Sequence, residues 1–485
     1  MKKILPLLGV FALIRLCMIP LFELFPQEAY YFFYSQNPSL SYFDHPPMVA
    51  LLIGLSTTLL GKSIWGIRLG ALAYTFLTQV LFYKTARLLL DEKSSQRITI
   101  VMAATVMVST LSLISTPDVA LVLTWCGTLY ALIQAIFKQK KSFWIVAGIL
   151  MGLAFDSKYT GAALQIGLVL FLISSKTYRK LLLTPYPYIA LVLAQVIMAP
   201  VYIWNIQHDW ASFAFQSTTH TKSSLAFRPR YLLELIATQS ALIGLPLLIL
   251  FFKWIGTTTK QIIKTFNLYI VFTEEQLFLV MFFVPLFLGF FALSFTMLVK
   301  PNWILPAYLT GMILVAPILS HGFIKAQIAF VAVLHVLAIV YLATLFYPIK
   351  SDDTCIGWKA LGERVDRELT VAPDQFVFSA DDYKTAAELR FYTKREIFSE
   401  NILGNPALHF DFIGTDTDSL IGKDALFIDS DPHLRTKGKK GSVDPLVEQK
   451  FKSVEELEPL IVTNRFGIQR VFHLYRCHGY RGAKA

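Results

Sequence analysis

The sequence predicts a polytopic α-helical membrane protein with one small soluble α/β domain at its C-terminal end. Of the 485 residues, 55% are hydrophobic, and the mean hydropathy is +0.54. Only 16% of the residues are charged, which is too little polar surface to cover a soluble globule, so a membrane is the natural solvent. The long apolar runs stop at about residue 347, and a mixed polar sequence follows. That last stretch is long enough for one domain with its own core.

Apolar runs of roughly 17 to 25 residues are long enough to cross a bilayer as helices. About eleven such runs predict spans at about 4–22, 67–90, 99–116, 119–137, 142–155, 159–174, 186–204, 233–253, 277–298, 303–320 and 326–347. The first run carries Arg15 and has no small-residue cleavage site, so we expect an uncleaved span and not a signal peptide. The runs 142–155 and 159–174 are short and adjacent, and a single interrupted hairpin is the alternative for them.

The segment 47–61 is apolar but only about 15 residues long, so it is either a short span or a helix on the membrane surface. The positive-inside rule decides between the two. If this segment does not cross, the basic clusters fall on the inner side, at 84–97, 138–141, 176–180 and 253–264. We therefore expect 47–61 to lie flat in the outer interface, within a first external loop covering 23–66.

The net charge of +11 arises from Lys and Arg residues that sit in short clusters between the apolar runs. This pattern is typical of cytoplasmic loops of membrane proteins. We therefore expect membrane lipids, and no nucleic acid, among the partners.

The domain organisation predicted is a membrane domain at 1–347 and a soluble domain at 348–485. In the soluble part, short apolar strings such as QFVFSA, DALFIDS and RVFHLYR alternate with helix-like stretches such as YKTAAELRFYTK. This alternation predicts a small α/β or α+β fold. With an odd number of spans and an inside N-terminus, this domain is external.

Cys355 and Cys477 lie near the two ends of the soluble domain. An oxidising compartment permits a disulfide between them, and two separate thiols are the equally weighted alternative.

Ionisable residues collect on the predicted external side. The segment 26–47 supplies Glu28, Asp44 and His45, the turn at 115–118 supplies Asp118, and the loop 204–220 supplies His208. Cations stand near the outer ends of spans, namely Arg15, Arg68, Lys158 and Lys300. Charged groups at a membrane boundary are costly, so each is a candidate for function. The structural alternatives are snorkelling or headgroup anchoring for the cations and a helix cap for Asp118.

This set of residues suits the transfer of a sugar from a lipid phosphate. Fixed cations stabilise the phosphate charge that develops as the sugar leaves, and a carboxylate acts as general base on an acceptor hydroxyl or phosphate. The sequence contains no nucleotide-binding Gly-rich loop, nucleophile elbow or zinc motif. That absence fits a donor already carried by a lipid.

Six strings between about residue 12 and about residue 310 carry a family resemblance: EAYYFFYSQ, SYFDHPPMVALLI, STPDVALVLTWCGTLYAL, GLAFDSKYTGAALQ, PVYIWNIQHDWASFAFQ and KPNWILPAYL. In order and spacing they resemble the bacterial dolichyl-phosphate-mannose protein mannosyltransferase-like family. This is glycosyltransferase family 39, of the GT-C fold, to which the aminoarabinose lipid A transferase belongs.

The resemblance implies an inverting glycosyltransferase in the bacterial inner membrane, with the C-terminal domain in the periplasm. It implies an undecaprenyl-phosphate-linked sugar donor and a lipid, glycan or protein acceptor, most simply lipid A. Protein O-mannosyl transfer is the alternative within the same class. A lipid or sugar transporter is the alternative from another class, but the sequence shows no internal repeat of the kind that transporters usually contain. No cofactor is implied with certainty, and a divalent metal is left open.

The resemblance also implies site residues. Catalytic acids are expected in the first external loop and at the next external turn, here Glu28 and Asp118. The family commonly has adjacent Asp-Glu where this chain has Gln27 and Glu28, so the general base remains open among Glu28, Asp44 and Asp118. Two further groups are predicted: Arg68, Lys158, Lys300 and Arg15 for the donor phosphate, and Tyr31, His45, His208, Asn302 and Trp303 for the acceptor or sugar pocket.

Overall fold

The computed structural model describes residues 1, 3–221, 226–347, 354–430 and 443–483, without the side chains of 218–221. The chain divides into two compact units. The first contains Met1–Met18, His45–Leu52 and Arg68–Leu337, and the second contains Ile19–Asp44, Ile53–Ile67 and Ala338–Ala485. The predicted division at residue 347 stays a prediction, and the second unit also includes Ile19–Asp44 and Ile53–Ile67.

The helices and strands are numbered in chain order. The helices are α1 (Ile4–Met18), α2 (Pro26–Gln36), α3 (Met48–Leu60), α4 (Ile64–Leu89), α5 (Glu92–Ala103), α6 (Val106–Leu113), α7 (Pro117–Ile136), α8 (Phe143–Ser157), α9 (Ala163–Ser174), α10 (Tyr186–Gln207), α11 (Ala211–Thr221), α12 (Pro229–Gln239), α13 (Leu245–Thr265), α14 (Leu268–Val271), α15 (Glu274–Leu293), α16 (Leu305–Val315), α17 (His321–Thr344), α18 (Trp358–Val371), α19 (Lys384–Thr393) and α20 (Pro445–Lys450). The strands are β1 (Phe376–Ser379), β2 (Ala425–Asp429), β3 (Ser453–Glu456), β4 (Leu460–Asn464) and β5 (Gly467–His478).

Each of the predicted apolar runs falls on a helix, which confirms a polytopic membrane protein. In the described part of the chain, 8 helices are long and apolar enough to cross a membrane, or 9 if the bent pair α5 and α6 is one span. The helices Phe143–Ser157 and Tyr159–Ser174 are shorter, so the number of eleven crossings stays a prediction. Helix α3 has 13 residues, fewer than the roughly 20 that a span needs, and its placement on the surface also stays a prediction.

Helix α8 packs closely against α10 because two glycines, Gly148 and Gly152, face it. A Cβ at Gly152 would lie 2.5 Å from the Cβ of Ile197, and one at Gly148 would lie 2.6 Å from the carbonyl oxygen of Ala190. Small residues four apart allow two helix backbones to approach in this way. The same helix packs on α7, whose side chains are buried almost all round. This packing fixes the C-terminal end of α8 beside the start of α7.

Helices α5 and α6 meet at a bend of 61°, and Arg15 of α1 satisfies the backbone there. The guanidinium is buried, its Nη2 donates to the carbonyl oxygen of Ala103, and its Nε donates to Ser109 Oγ at 3.2 Å. A broken helix leaves carbonyl groups without intrahelical partners, and these are costly inside a bilayer. Arg15 therefore has a structural role that the sequence analysis, which assigned it to the donor phosphate, did not foresee.

The second unit contains a mixed sheet of order β1, β2, β5, β3, with β4 pairing the other half of β5. Strands β1 and β2 are parallel, and the remaining pairs are antiparallel. The sheet and its flanking helices confirm the small α/β domain. Cys355 and Cys477 are buried as thiols, and no disulfide joins them in the part of the chain that the structure describes.

Helix α2 of the first external loop belongs to this second unit and packs on α19. Phe33 stacks on Phe410 with ring centroids 4.4 Å apart, and Tyr30 stacks on Tyr383 at 4.2 Å. The guanidinium of Arg390 lies over Phe33, with 4.8 Å between its carbon and the ring centroid. The first loop and the C-terminal domain therefore share one aromatic core.

We expect Arg15→Met to destabilise the protein, because the Ala103 carbonyl loses its charged partner within the membrane. Loss of a hydrogen bond to a charged group costs about 1.5–3 kcal/mol. The measurement is the midpoint of thermal unfolding of the purified protein in detergent. Ser109→Ala, which removes the hydroxyl that bonds to Arg15 Nε and to His335 Nε2, serves as the comparison that leaves the Arg15 contact to Ala103 intact. Unchanged stability together with weakened donor binding would return Arg15 to the phosphate site.

Candidate active site

Asp118 lies at the centre of a polar cluster in the first unit. It is in the first turn of α7, which begins at Pro117 after the extended residue Thr116. Oδ1 of Asp118 accepts a hydrogen bond from Lys158 Nζ at 2.8 Å, and Oδ2 accepts one from Asn302 Nδ2 at 2.6 Å. Three segments that are far apart in sequence therefore meet at one carboxylate.

Lys158 and Asp118 form a buried ion pair. The side chains are only 8% and 3% exposed, so the pair is shielded from solvent. Removal of one partner of such a pair costs about 3–5 kcal/mol, because the other charge stays buried without compensation. The alternative in which Asp118 is only a helix cap does not describe this geometry, since both carboxylate oxygens bond to side chains of other segments.

His45 lies in the electrostatic field of the same cluster. Desolvation lowers the pKa of its imidazole, and the positive charges of Lys158 and Lys300 lower it further, to about 3. The ring is therefore neutral at physiological pH, and it offers hydrogen bonds without adding positive charge. The Lys300 side chain is exposed, which leaves its ammonium group accessible to a ligand.

Gln239, which the sequence analysis missed, fixes the turn that carries Asn302. Its Nε2 donates to the carbonyl oxygen of Pro301 at 3.1 Å, and its Oε1 accepts from Tyr308 OH at 2.7 Å. Gln239 and Tyr308 are both completely buried. A single Gln within an apolar run gives no sequence signal for such a role, because its partners are more than sixty residues away.

Three other predicted site residues lie in the first unit, namely Arg68, His208 and Trp303. Arg68 is completely buried in the first turns of α4. His208 bonds through Nδ1 to the carbonyl oxygen of Trp204 at 2.7 Å and stacks on that indole at 4.2 Å. Trp303 packs on Phe290 with ring centroids 5.6 Å apart. The roles of these three residues in phosphate or sugar binding stay predictions.

Glu28, Tyr31 and Asp44 belong to the second unit. Glu28 is completely buried in the first turn of α2, and its Oε2 accepts a hydrogen bond from the backbone N–H of Phe25 at 3.3 Å. A carboxylate in this position stabilises a helix N-terminus, which gives Glu28 a capping role in addition to any catalytic one. The Tyr31 ring is buried against Tyr30, with centroids 6.0 Å apart.

Asp44 is held by two tyrosines of α2. Tyr30 OH donates to its Oδ1 at 3.3 Å, and Tyr34 OH donates to the same oxygen. Tyr30 OH in turn accepts a hydrogen bond from the backbone N–H of His409 at 3.1 Å. The carboxylate of Asp44 is therefore oriented by a network that includes a residue of the C-terminal domain.

The residues that the structure describes contain no group of three or more His, Cys, Asp or Glu side chains that fits a metal ion. The set around Asp118 consists of a carboxylate, an ammonium group and an amide. Such a set is an ion pair with a supporting hydrogen bond, because a metal site needs several acceptor ligands.

Comparison with known proteins shows what the chain is similar to. The family model described as dolichyl-phosphate-mannose-protein mannosyltransferase matches residues 44–204, which contain His45, Asp118 and Lys158. The chain is also 28% identical over 300 residues to the lipid A galacturonosyltransferase RgtD of Rhizobium johnstonii. The resemblance carried by the six strings is thereby confirmed.

Solved structures show that the chain has the GT-C fold. ArnT from Cupriavidus metallidurans bound to undecaprenyl phosphate is 16% identical, with a TM-score of 0.62 and coverage of 96% of this chain and 97% of that chain. The apo state of ArnT gives a TM-score of 0.64. The oligosaccharyltransferase of Archaeoglobus fulgidus is more distant, at 11% identity and a TM-score of 0.52, and covers 88% of this chain and 69% of that chain. The match to RgtD covers 60% of each protein.

We expect Asp118→Asn and Lys158→Met each to destabilise the protein by about 3–5 kcal/mol, because each leaves one buried charge without its partner. The double variant removes both charges, so we expect it to be more stable than the sum of the single losses predicts. Thermal midpoints of the four proteins in detergent measure the coupling. Additive losses would mean that the two charges do not interact.

We expect His45 to make stability fall at acid pH. Its folded pKa is about 3, below the value of about 6.5 for an unperturbed histidine, so the unfolded chain binds the proton more readily. The contribution is fully present above about pH 6.5 and is lost as pH falls from there toward 3. His45→Gln should reduce the change of the thermal midpoint between pH 7 and pH 4.5. His321→Gln, at an exposed position, should leave that change as it is in the parent protein. Equal profiles for all three proteins would contradict the assignment.

Proposed function

We propose that the chain is an inverting glycosyltransferase that moves a sugar from a polyprenyl-phosphate carrier to an envelope acceptor, with lipid A as the first candidate. The reaction would occur on the outer face of the bacterial inner membrane, with the C-terminal domain in the periplasm. The family model that matches residues 44–204 and the similarity to a protein named as a lipid A galacturonosyltransferase support this proposal. The likeness to an ArnT structure that holds undecaprenyl phosphate supports the fold in which such a donor binds.

The observation that carries the proposal is the carboxylate of Asp118 with its two donors, Lys158 and Asn302. An ammonium group has three N–H donors, and Lys158 directs one to Asp118, so two remain for phosphate oxygens. Each oxygen of Asp118 has further lone-pair capacity, so the carboxylate still accepts an acceptor hydroxyl. One buried pair therefore offers a phosphate donor site and a general base side by side.

In the proposed reaction, Asp118 removes the proton of the acceptor hydroxyl, and that oxygen attacks the anomeric carbon of the sugar. The bond from the anomeric carbon to the phosphate oxygen breaks, and its electron pair stays on the polyprenyl phosphate. Lys158, together with Lys300 and Arg68, stabilises the phosphate as it gains charge. Neutral His45 contributes a hydrogen bond in the same cluster. Glu28 and Asp44 remain the alternative bases.

The experiment compares lipid A and envelope glycans, by mass spectrometry, from cells with and without the gene, and from cells that carry Asp118→Asn. A general base contributes about 10²- to 10⁴-fold, so the variant should lose the sugar addition almost completely. Glu28→Gln and Asp44→Asn serve as matched tests of the alternative bases. A change in protein glycans with unchanged lipid A would identify a protein acceptor, and no change in any glycan would favour a transporter.

A further inference from the structure

Asp156 is a buried acid that the proposed mechanism does not use. It lies in the last turn of α8 and is only 6% exposed. Its Oδ1 is buried and has no hydrogen-bond partner among the described residues. The nearest cation in sequence, Lys158, is paired with Asp118 instead. A buried carboxylate without a partner is costly, so its presence calls for an explanation outside the free protein.

A row of polar side chains on the neighbouring helices continues from Asp156. Tyr202 OH of α10 donates to Gln195 Oε1 at 3.1 Å, and Gln195 Nε2 donates to Gln165 Oε1 of α9 at 2.9 Å. The turn of α8 that carries Asp156 lies beside this row, because the ring of the preceding residue, Phe155, is 6.1 Å from that of Tyr202. Gln195 is exposed, although α10 is apolar and long enough to span a membrane. Polar groups in such a position usually mark a substrate path.

Aromatic rings flank the acid. The Phe155 ring lies 5.4 Å from that of Tyr159 and 6.1 Å from that of Tyr202. The Tyr202 ring lies 6.2 Å from that of Phe213 of α11. Binding sites for small molecules combine apolar and aromatic walls with a few fixed polar groups, and this cluster has that composition.

We propose that Asp156, Gln165, Gln195 and Tyr202 form a subsite for the sugar headgroup of a lipid-borne molecule. The partnerless carboxyl oxygen of Asp156 accepts hydrogen bonds, so it suits a ligand that donates them, as sugar hydroxyls do. The amides of Gln165 and Gln195 both donate and accept, which matches hydroxyl groups in either role. The aromatic rings cover the apolar faces of a sugar. The choice of glycolipid rests on the proposed function, but the subsite binds its ligand without any transfer step.

The test measures binding to the full-length protein in nanodiscs of phosphatidylethanolamine and phosphatidylglycerol, which carry no sugar. Native mass spectrometry follows three added lipids: lipid A, undecaprenyl-phosphate-glucose and undecaprenyl phosphate. We expect Asp156→Leu to lower the affinity for one of the two glycolipids about tenfold or more, and we expect the double variant Gln165→Leu with Gln195→Leu to do the same. Undecaprenyl phosphate has no sugar, so its affinity should not change. The glycolipid that loses affinity identifies the source of the sugar.

Two controls separate binding from folding. The first control is Gln134→Leu on α7. It removes Oε1 of Gln134, another buried side-chain oxygen without a hydrogen-bond partner, and should leave the affinities for all three lipids unchanged. Asp156→Leu also removes a buried polar oxygen that has no partner among the described residues, so its thermal midpoint should equal or exceed that of the parent. Asp156→Asn keeps the shape of the side chain and should give an intermediate affinity.

Unchanged affinity for both glycolipids, or an equal loss of affinity for undecaprenyl phosphate, would overturn the proposed sugar subsite. Absence of sugar transfer in cells would overturn only the proposed function.

Discussion

The ion pair between Lys158 and Asp118 is the interaction on which the site depends. It joins the end of α8 to the start of α7, and Asn302 adds a third segment through the other carboxylate oxygen. The close packing of α8 on α10 at Gly148 and Gly152 holds the lysine in place. A buried pair of this kind gives little net stability, because desolvation offsets the attraction. Its value is that both groups have one fixed geometry.

The remaining acids are oriented by a different set of contacts. Asp44 depends on Tyr30, and Tyr30 bonds to the backbone of His409, so the first external loop and the C-terminal domain share one hydrogen-bond network. The stacking of Phe33 on Phe410 extends the same interface. This arrangement gives the C-terminal domain a physical role, because it orders the loop that carries Glu28 and Asp44. A loop of this length without such support would lose considerable entropy on becoming ordered.

The sequence predicts the fold well because run length and charge bias act locally. The residues Asp118, Lys158 and Asn302 are each predicted as site residues, but not their mutual contacts, since periodicity does not reveal which distant segments meet. Arg15 shows a contact that the sequence does not reveal. A charge within a span suggests function, yet its partner is a carbonyl freed by the bend between α5 and α6. Neither the bend nor the buried amide of Gln239 leaves a pattern in a single sequence.

The charge balance of the site limits what Lys158 contributes to a phosphate. Asp118 neutralises it at 2.8 Å, so the pair as a whole carries no net charge. Lys158 therefore acts mainly as an oriented donor, whereas net attraction for an anionic headgroup must come from cations outside the pair. Lys300 is exposed and its charge already acts on His45, which identifies it as one such source. Because His45 is held neutral, the positive potential there depends on lysine and arginine alone, and it persists across the physiological pH range.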